Sequence, residues 1–266
     1  MKKVVIIGAG NVATHLSLSI LKTSASIIQV YSRNEESACL LADCLGTDRT
    51  TRIREITPEA DLYLFAVTDD ALPEIIPQIP ANKGLWIHTA GSIPMEIFKG
   101  HTERYGVLYP LQTFSKSRKM DLRTTPFFVE ACKPDDEKLL VEFASRLSNN
   151  VQMLSSEKRK YVHIAAVFAC NFTNHMYVMA CKLLKEKNIP HDVLIPLIDE
   201  TAAKIHAFSP LKAQTGPAIR YDLNVLNRHM ELLTDPAMKE MYLLISQNII
   251  NEQYQLRFNE NKSIPV

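Results

Sequence analysis

Cysteine is scarce in the chain. The five residues Cys39, Cys44, Cys132, Cys170 and Cys181 are odd in number and form no C-x-x-C pair. A disulfide scaffold is excluded, and free thiols in a reducing cytosol are expected. An excess of charge is also missing, because 30 basic residues face 29 acidic ones. No affinity for nucleic acid or membrane follows from that balance. The N-terminal apolar run, Val4–Ile7, stops at a glycine and is too short for the core of a signal peptide. Internal repeats, low-complexity stretches and metal-ligand spacing are absent: His175, His191, His206 and His229 form no H-x-x-x-H pair. The remaining composition is that of a globular protein, with 46% apolar and 22% charged residues in 266.

One segment resists this reading. Tyr161–Cys181 holds no Asp, Glu, Lys or Arg over 21 residues and is long enough to span a bilayer. It also holds His163, Asn171, Asn174 and His175, which are costly in lipid. A buried helix of a soluble protein is the expectation.

Up to about residue 154, short β-rich runs alternate with helical stretches. Strands are expected at Lys3–Ile7, Ile27–Tyr31, Asp61–Val67, Leu85–His88, Arg104–Leu108 and Pro126–Glu130, and helices at Val12–Leu21, Glu35–Leu45 and Asp135–Leu147. Such alternation predicts an α/β fold, a parallel sheet with helices on both faces. Beyond Leu154 strand signals vanish and Gly216 is the only glycine. Helices are expected at Glu157–Lys187, Asp192–His206, Asp222–Leu233 and Pro236–Phe258, with a frayed tail from Asn259. The expected organisation is an α/β domain over 1–154 and an all-helical domain over 155–266.

Residues 8–13, Gly8-Ala9-Gly10-Asn11-Val12-Ala13, read G-x-G-x-x-A between a strand and a helix. Gly8 permits the tight turn, Gly10 lets backbone approach a pyrophosphate, and Ala13 lets the helix pack close to the sheet. Two of only eight glycines stand at this junction. An NAD site wants an acid at the end of the second strand, but the strand here ends Tyr31-Ser32-Arg33-Asn34. With Arg33 as a charged fork and Ser32 as a hydroxyl donor, NADP(H) is the expected cofactor, the alternative being a solvated Arg33. Thr68 and the run His88-Thr89-Ala90-Gly91-Ser92 follow two further strands, so both fall at the carboxyl edge where ligands of such sheets lie.

These residues, followed by an all-helical C-terminal domain, resemble pyrroline-5-carboxylate reductase, the 6-phosphogluconate and 3-hydroxyisobutyrate dehydrogenases, and prephenate dehydrogenase. A closer resemblance is to a bacterial NADP oxidoreductase family without an assigned activity, grouped by similarity to the deazaflavin-dependent enzyme. Its marks are His88–Ser92, Tyr109-Pro110-Leu111-Gln112-Thr113-Phe114, His163 with Asn171, and Thr215-Gly216-Pro217. The resemblance implies a Rossmann domain, hydride transfer involving a small carbonyl, imine or hydroxy acid, and dimerisation through the helical domain. Hydride exchange with a deazaflavin is implied only by that analogy. Three departures stand out. The hydroxyacid dehydrogenases carry a lysine four residues before the helix asparagine, where this chain has Val167. Tyr109 replaces the histidine of a His-Pro pair, and Arg220-Tyr221-Asp222 replaces an Arg-Gly-Asp run.

At 100° per residue, His163 and Asn174 point within about 20° of each other and Asn171 lies about 80° from His163. Burial of such groups is costly unless they are paired. A cleft would satisfy them, with His163 exchanging a proton and Asn171 orienting a carbonyl or imine. The alternative is a polar bridge between packed helices. Ser92, Tyr109, Gln112, Asn174 and Thr215 are the expected substrate contacts, although Tyr109, Gln112 and Thr215 can equally be structural loop residues. Because the helix lysine is missing, a non-catalytic NADP(H)-binding sensor or scaffold remains the second functional reading.

Overall fold

The computed structural model describes residues 1–262. Its strands are β1 (Lys3–Ile7), β2 (Ser26–Tyr31), β3 (Asp48–Thr50), β4 (Leu62–Phe65), β5 (Leu85–His88), β6 (Tyr105–Pro110), β7 (Phe127–Ala131) and β8 (Val151–Met153). They form one eight-stranded sheet in the order β3-β2-β1-β4-β5-β6-β7-β8. All neighbours are parallel except β6 and β7, which pair antiparallel. The sheet is therefore mostly parallel rather than wholly so. The loop from β6 brings the chain back beside it, and helix α4 (Pro134–Ser145) is the crossover that sets β8 parallel to β7, so these two strands run against the other six.

Period-two alternation divides the core. Val4 and Ile6 join one apolar cluster with Leu64, Ile87, Phe127 and Phe143, and Val5 and Ile7 join another with Tyr63, Phe65, Trp86 and Phe98. Each such fully buried side chain contributes about 1.5–3 kcal/mol. The first face is covered by α1 (Asn11–Ile20), α2 (Glu35–Leu45) and α4, through residues such as Leu16, Leu41 and Leu140. The second face has the short α3 (Leu72–Ile75) and several 3-10 turns over its first strands, and over β6 and β7 it meets Val162 of the long helix that follows β8, so helical cover is unequal. Helix α2 keeps the bounds expected from sequence. Asn34 accepts from the Ser37 N–H at 2.7 Å, Glu35 and Glu36 occupy the first turn, and Gly46 ends the helix at φ +64°.

The chain divides into two compact units, Met1–Thr173 and Asn174–Val266. The last strand ends at Met153, but the first unit also holds α5 (Ser156–Ala166) and a π-helical turn (Val167–Phe172). α6 (Thr173–Glu186) continues the same helix. The second unit goes on with α7 (Ile195–Ala207), α8 (Pro210–Ala213), α9 (Leu223–Leu232) and α10 (Pro236–Lys262). α10 runs past the Phe258 end expected from sequence, and residues 263–266 of the expected frayed tail lie outside the described residues.

The long helix corrects the expectation of burial. Ser156–Glu186 contains an 18-residue window apolar enough to cross a membrane, and none of that window is buried. Tyr161, Ile164, Phe168 and Phe172 are exposed, and Arg159 is the only buried residue of α5. Apart from Arg159, the helix meets a cleft wall or solvent instead of a packed core.

Candidate active site

The carboxyl ends of β1 and β4 make the first cleft, at the point where strand order reverses. Gly8 has φ +115° and donates its N–H to the Tyr31 carbonyl at 2.7 Å. A Cβ on Gly8 would collide with the Ala66 carbonyl, so only glycine fits. Gly10 differs: a Cβ there meets nothing within 4 Å. It stands at the N-cap of α1, which has no side-chain cap and no acid in its first turn. An uncapped helix N-terminus beside open space at a glycine fits a pyrophosphate.

This cleft has a volume of about 380 Å³. Gly8, Ala9, Gly10, Asn11 and Val12 line it, together with Ser32, Arg33 and Asn34 from the end of β2 and Val67, Thr68 and Thr89 from the neighbouring strand ends. Arg33 is exposed and 4.0 Å from Glu74, an acid that α3 supplies from a distant part of the chain. Ser32 Oγ accepts the Asn34 N–H at 3.3 Å. His88 does not line the cleft. Its ring is fully buried against Phe98, accepts the Ala90 N–H at Nδ1 over 3.2 Å and donates from Nε2 to the Pro94 carbonyl over 3.4 Å. Burial pushes its pKa down to about 3, the nearby Arg159 guanidinium adds repulsion, and the bond to Pro94 opposes both.

A second cavity of about 690 Å³ shares Asn11 and Val12 with the first. Leu111, Gln112, Thr113 and Phe114 line it from the end of β6, and Val162, His163, Ala166 and Cys170 from the helix at i, i+1, i+4, i+8 spacing. Tyr109 and His163 meet here, with Tyr109 Oη 3.1 Å from His163 Nδ1. Burial raises the tyrosine's pKa, and Arg159 partly offsets this. Asn171 also lines the cavity, within the π-helical turn. That turn breaks the α-helical phase between His163 and Asn174, so the single stripe expected from 100° steps is not continuous. Asn174 and Thr215 belong to the second unit and are exposed.

Ser92 lines neither cleft; its Oγ donates to Asp69 Oδ2 at 2.5 Å. His15, on α1, is buried. It hydrogen-bonds the Ser115 carbonyl at 2.9 Å and packs 5.3 Å from the Phe114 ring, pinning the cavity loop.

Two supports escaped the sequence reading. Arg159, 1% exposed, bonds Glu130 Oε2 at 3.0 Å, Ser156 Oγ at 3.1 Å and the Ile93 carbonyl. Ser156 Oγ donates to Glu130 Oε2 at 2.5 Å and accepts the Met95 N–H at 3.1 Å. Burial pulls the Arg159 pKa down, against the opposing pull of Glu130. This network fastens α5 to β7 one turn before His163. The other support is Gly91, whose missing side chain makes room for the His163 ring.

A strand-turn-helix dinucleotide cleft that opens into a tyrosine–histidine cavity defines the class: a two-unit, Rossmann-type oxidoreductase. The family described as NADP oxidoreductase coenzyme F420-dependent matches residues 3–87, and the domain of unknown function DUF2520 matches residues 125–249. A Bacteroides fragilis protein described as a "putative NADP oxidoreductase" is 49% identical, with 94% of this chain and 98% of that one covered at TM-score 0.88. This chain belongs to that NADP oxidoreductase family, a Rossmann domain joined to DUF2520. A Thermotoga maritima protein shares the fold at 21% identity and TM-score 0.71, covering 96% of this chain and 99% of that one. An imine reductase from Myxococcus stipitatus in complex with NADP+ shares it at 12% identity and TM-score 0.65, covering 95% and 93%. No curated protein matches.

Proposed function

We propose that the protein is an NADP(H)-dependent oxidoreductase that transfers a hydride to or from a small carbonyl, imine or hydroxy-acid substrate. The observation that carries this reading is the sharing of Asn11 and Val12 between the glycine-turn cleft and the cavity that holds Tyr109 and His163. Gly8–Val12 would hold the pyrophosphate, Ser32 and Arg33 the 2′-phosphate, and Thr68 the adjoining part of the dinucleotide. When bound, NADPH would supply the hydride for the substrate carbon, being oxidised to NADP+. The chain's own part is to deliver one proton to the substrate oxygen or nitrogen, so that a C=X group becomes HC–XH. Tyr109 and His163 are hydrogen-bonded to each other and both line the cavity, so a proton leaving one can be replaced through the other. Asn171 and Gln112 orient the heteroatom.

In this reading residues 1–154 form the dinucleotide domain, and 155–266 serve substrate binding and dimerisation. The second unit buries few apolar side chains, among them Leu226, Leu233 and Met238, while Leu197, Ile205, Leu243 and Leu244 are exposed. That much uncovered apolar surface suits a homodimer. Five free cysteines suit a reducing cytoplasm. Light scattering at micromolar concentration should give twice the chain mass, and a monomeric mass removes the dimer. Nicotinamide fluorescence should report NADPH binding, and His163→Ala should lower turnover about 10²–10⁴-fold while leaving that binding nearly unchanged. Tight NADPH binding without turnover on any carbonyl or imine would instead favour the sensor reading.

A further inference from the structure

Resting on the oxidoreductase reading, we infer that the cavity takes a substrate without formal charge beside its reacting carbon: a neutral ketone or imine with an apolar substituent, rather than a 2-oxo, 2-imino or 2-hydroxy acid. Among the described residues, no Asp, Glu, Lys or Arg lines the 690 Å³ cavity. Its walls include Val12, Leu111, Phe114, Val162, Ala166 and Ala169. A carboxylate brought into such walls loses its water and needs a charge-assisted partner, usually a cation with forked donors.

Among the described residues the one buried Lys or Arg is Arg159, and it does not line the cavity. It is sealed from solvent, its two terminal nitrogens are engaged by Glu130, Ser156 and the Ile93 carbonyl, and its Nε, which has no partner, is buried with them. Lys116, Arg118 and Lys119 follow the cavity-lining segment along the chain, but none of them lines the cavity. Tyr109 and His163 are already bonded to each other, an arrangement suited to one heteroatom rather than to the two oxygens of a carboxylate. The volume falls in the range of pockets that enclose a whole small organic molecule.

The test uses the full chain and two five-membered cyclic imines that differ in one group, 2-methyl-1-pyrroline and 1-pyrroline-2-carboxylate. NADPH binding is measured first by fluorescence. Each imine is then titrated into the NADPH-loaded protein by calorimetry, and NADPH oxidation is followed separately. The neutral imine should bind at least tenfold tighter, and Phe114→Lys should narrow or reverse that preference. Equal or tighter binding of the carboxylate, or no binding of the neutral ring, overturns the inference. Failure to bind NADPH refutes the oxidoreductase reading and the inference with it. Preferential binding of the neutral ring without NADPH oxidation leaves the cavity's selectivity standing and overturns the activity alone.

Discussion

The His163 ring lies against the backbone of Gly91: a Cβ placed on Gly91 would stand 2.6 Å from Nδ1 and 2.7 Å from Cγ. The same Nδ1 is 3.1 Å from Tyr109 Oη, so the glycine and the tyrosine together fix where the imidazole sits. Gly91→Ala should displace the ring and break the pair. Overpacking of this kind costs about 1–3 kcal/mol. Thermal melting should show a clear drop in Tm, while NADPH titration stays near the parent value because Gly91 lines neither cleft. An unchanged Tm would remove this account of Gly91.

The proposed preference for NADP(H) turns on Arg33. NADPH should bind at least about tenfold tighter than NADH, since a charge-assisted hydrogen bond is worth about 1.5–3 kcal/mol. Arg33→Ala should abolish most of that difference by weakening NADPH alone. Fluorescence titrations with both nucleotides measure it, and equal affinities in the parent protein would contradict the assignment.

His88 makes stability depend on pH. Its folded pKa, near 3, lies below the ordinary value of 6.5, so between these limits the unfolded chain holds the extra proton. Stability therefore rises with pH through this window and falls on acidification. From pH 7 to pH 5 the histidine should cost about 2 kcal/mol. Urea unfolding at both pH values should show a steeper loss for the parent than for His88→Gln; equal losses would refute the assignment.

Tyr221 sits at φ +57° and is mostly exposed. It stands where the resembling family has the glycine of an Arg-Gly-Asp run. A left-handed conformation costs a tyrosine about 1–2 kcal/mol, part of which glycine returns through its more flexible unfolded chain. Tyr221→Gly should raise Tm by roughly 2 °C in a domain of this size. A lower Tm would show that the side chain contributes more than its strain costs.

The sequence was most informative where local chemistry and tertiary structure agree. β1, β5 and α2 have the bounds read from apolar runs and caps. β3 and β8 escaped notice because each is three residues long and sits at an edge of the sheet, where little burial marks it. The reversed direction of β7 leaves no trace in alternation, which reports faces and not strand sense. Tyr109, Gln112, His163 and Asn171 could be gathered in advance from a strand end and a polar stripe, and one cavity holds all four. Arg159 could not, because a cation in the run Glu157-Lys158-Arg159-Lys160 looks like a solvated first turn.

The π-helical turn at Val167–Phe172 changes how the chain can be compared and altered. Just past it Thr173 Oγ1 donates to the Phe168 carbonyl five residues back, at 3.1 Å, a partner that ordinary α-helical geometry would not offer a side chain at that spacing. The turn works as a phase shift in an otherwise regular repeat. Deleting one residue there would remove the extra residue that the wide turn absorbs and leave plain α-helix. Insertions and deletions in relatives should therefore cluster at this turn, where a single residue can be gained or lost while the helix stays intact.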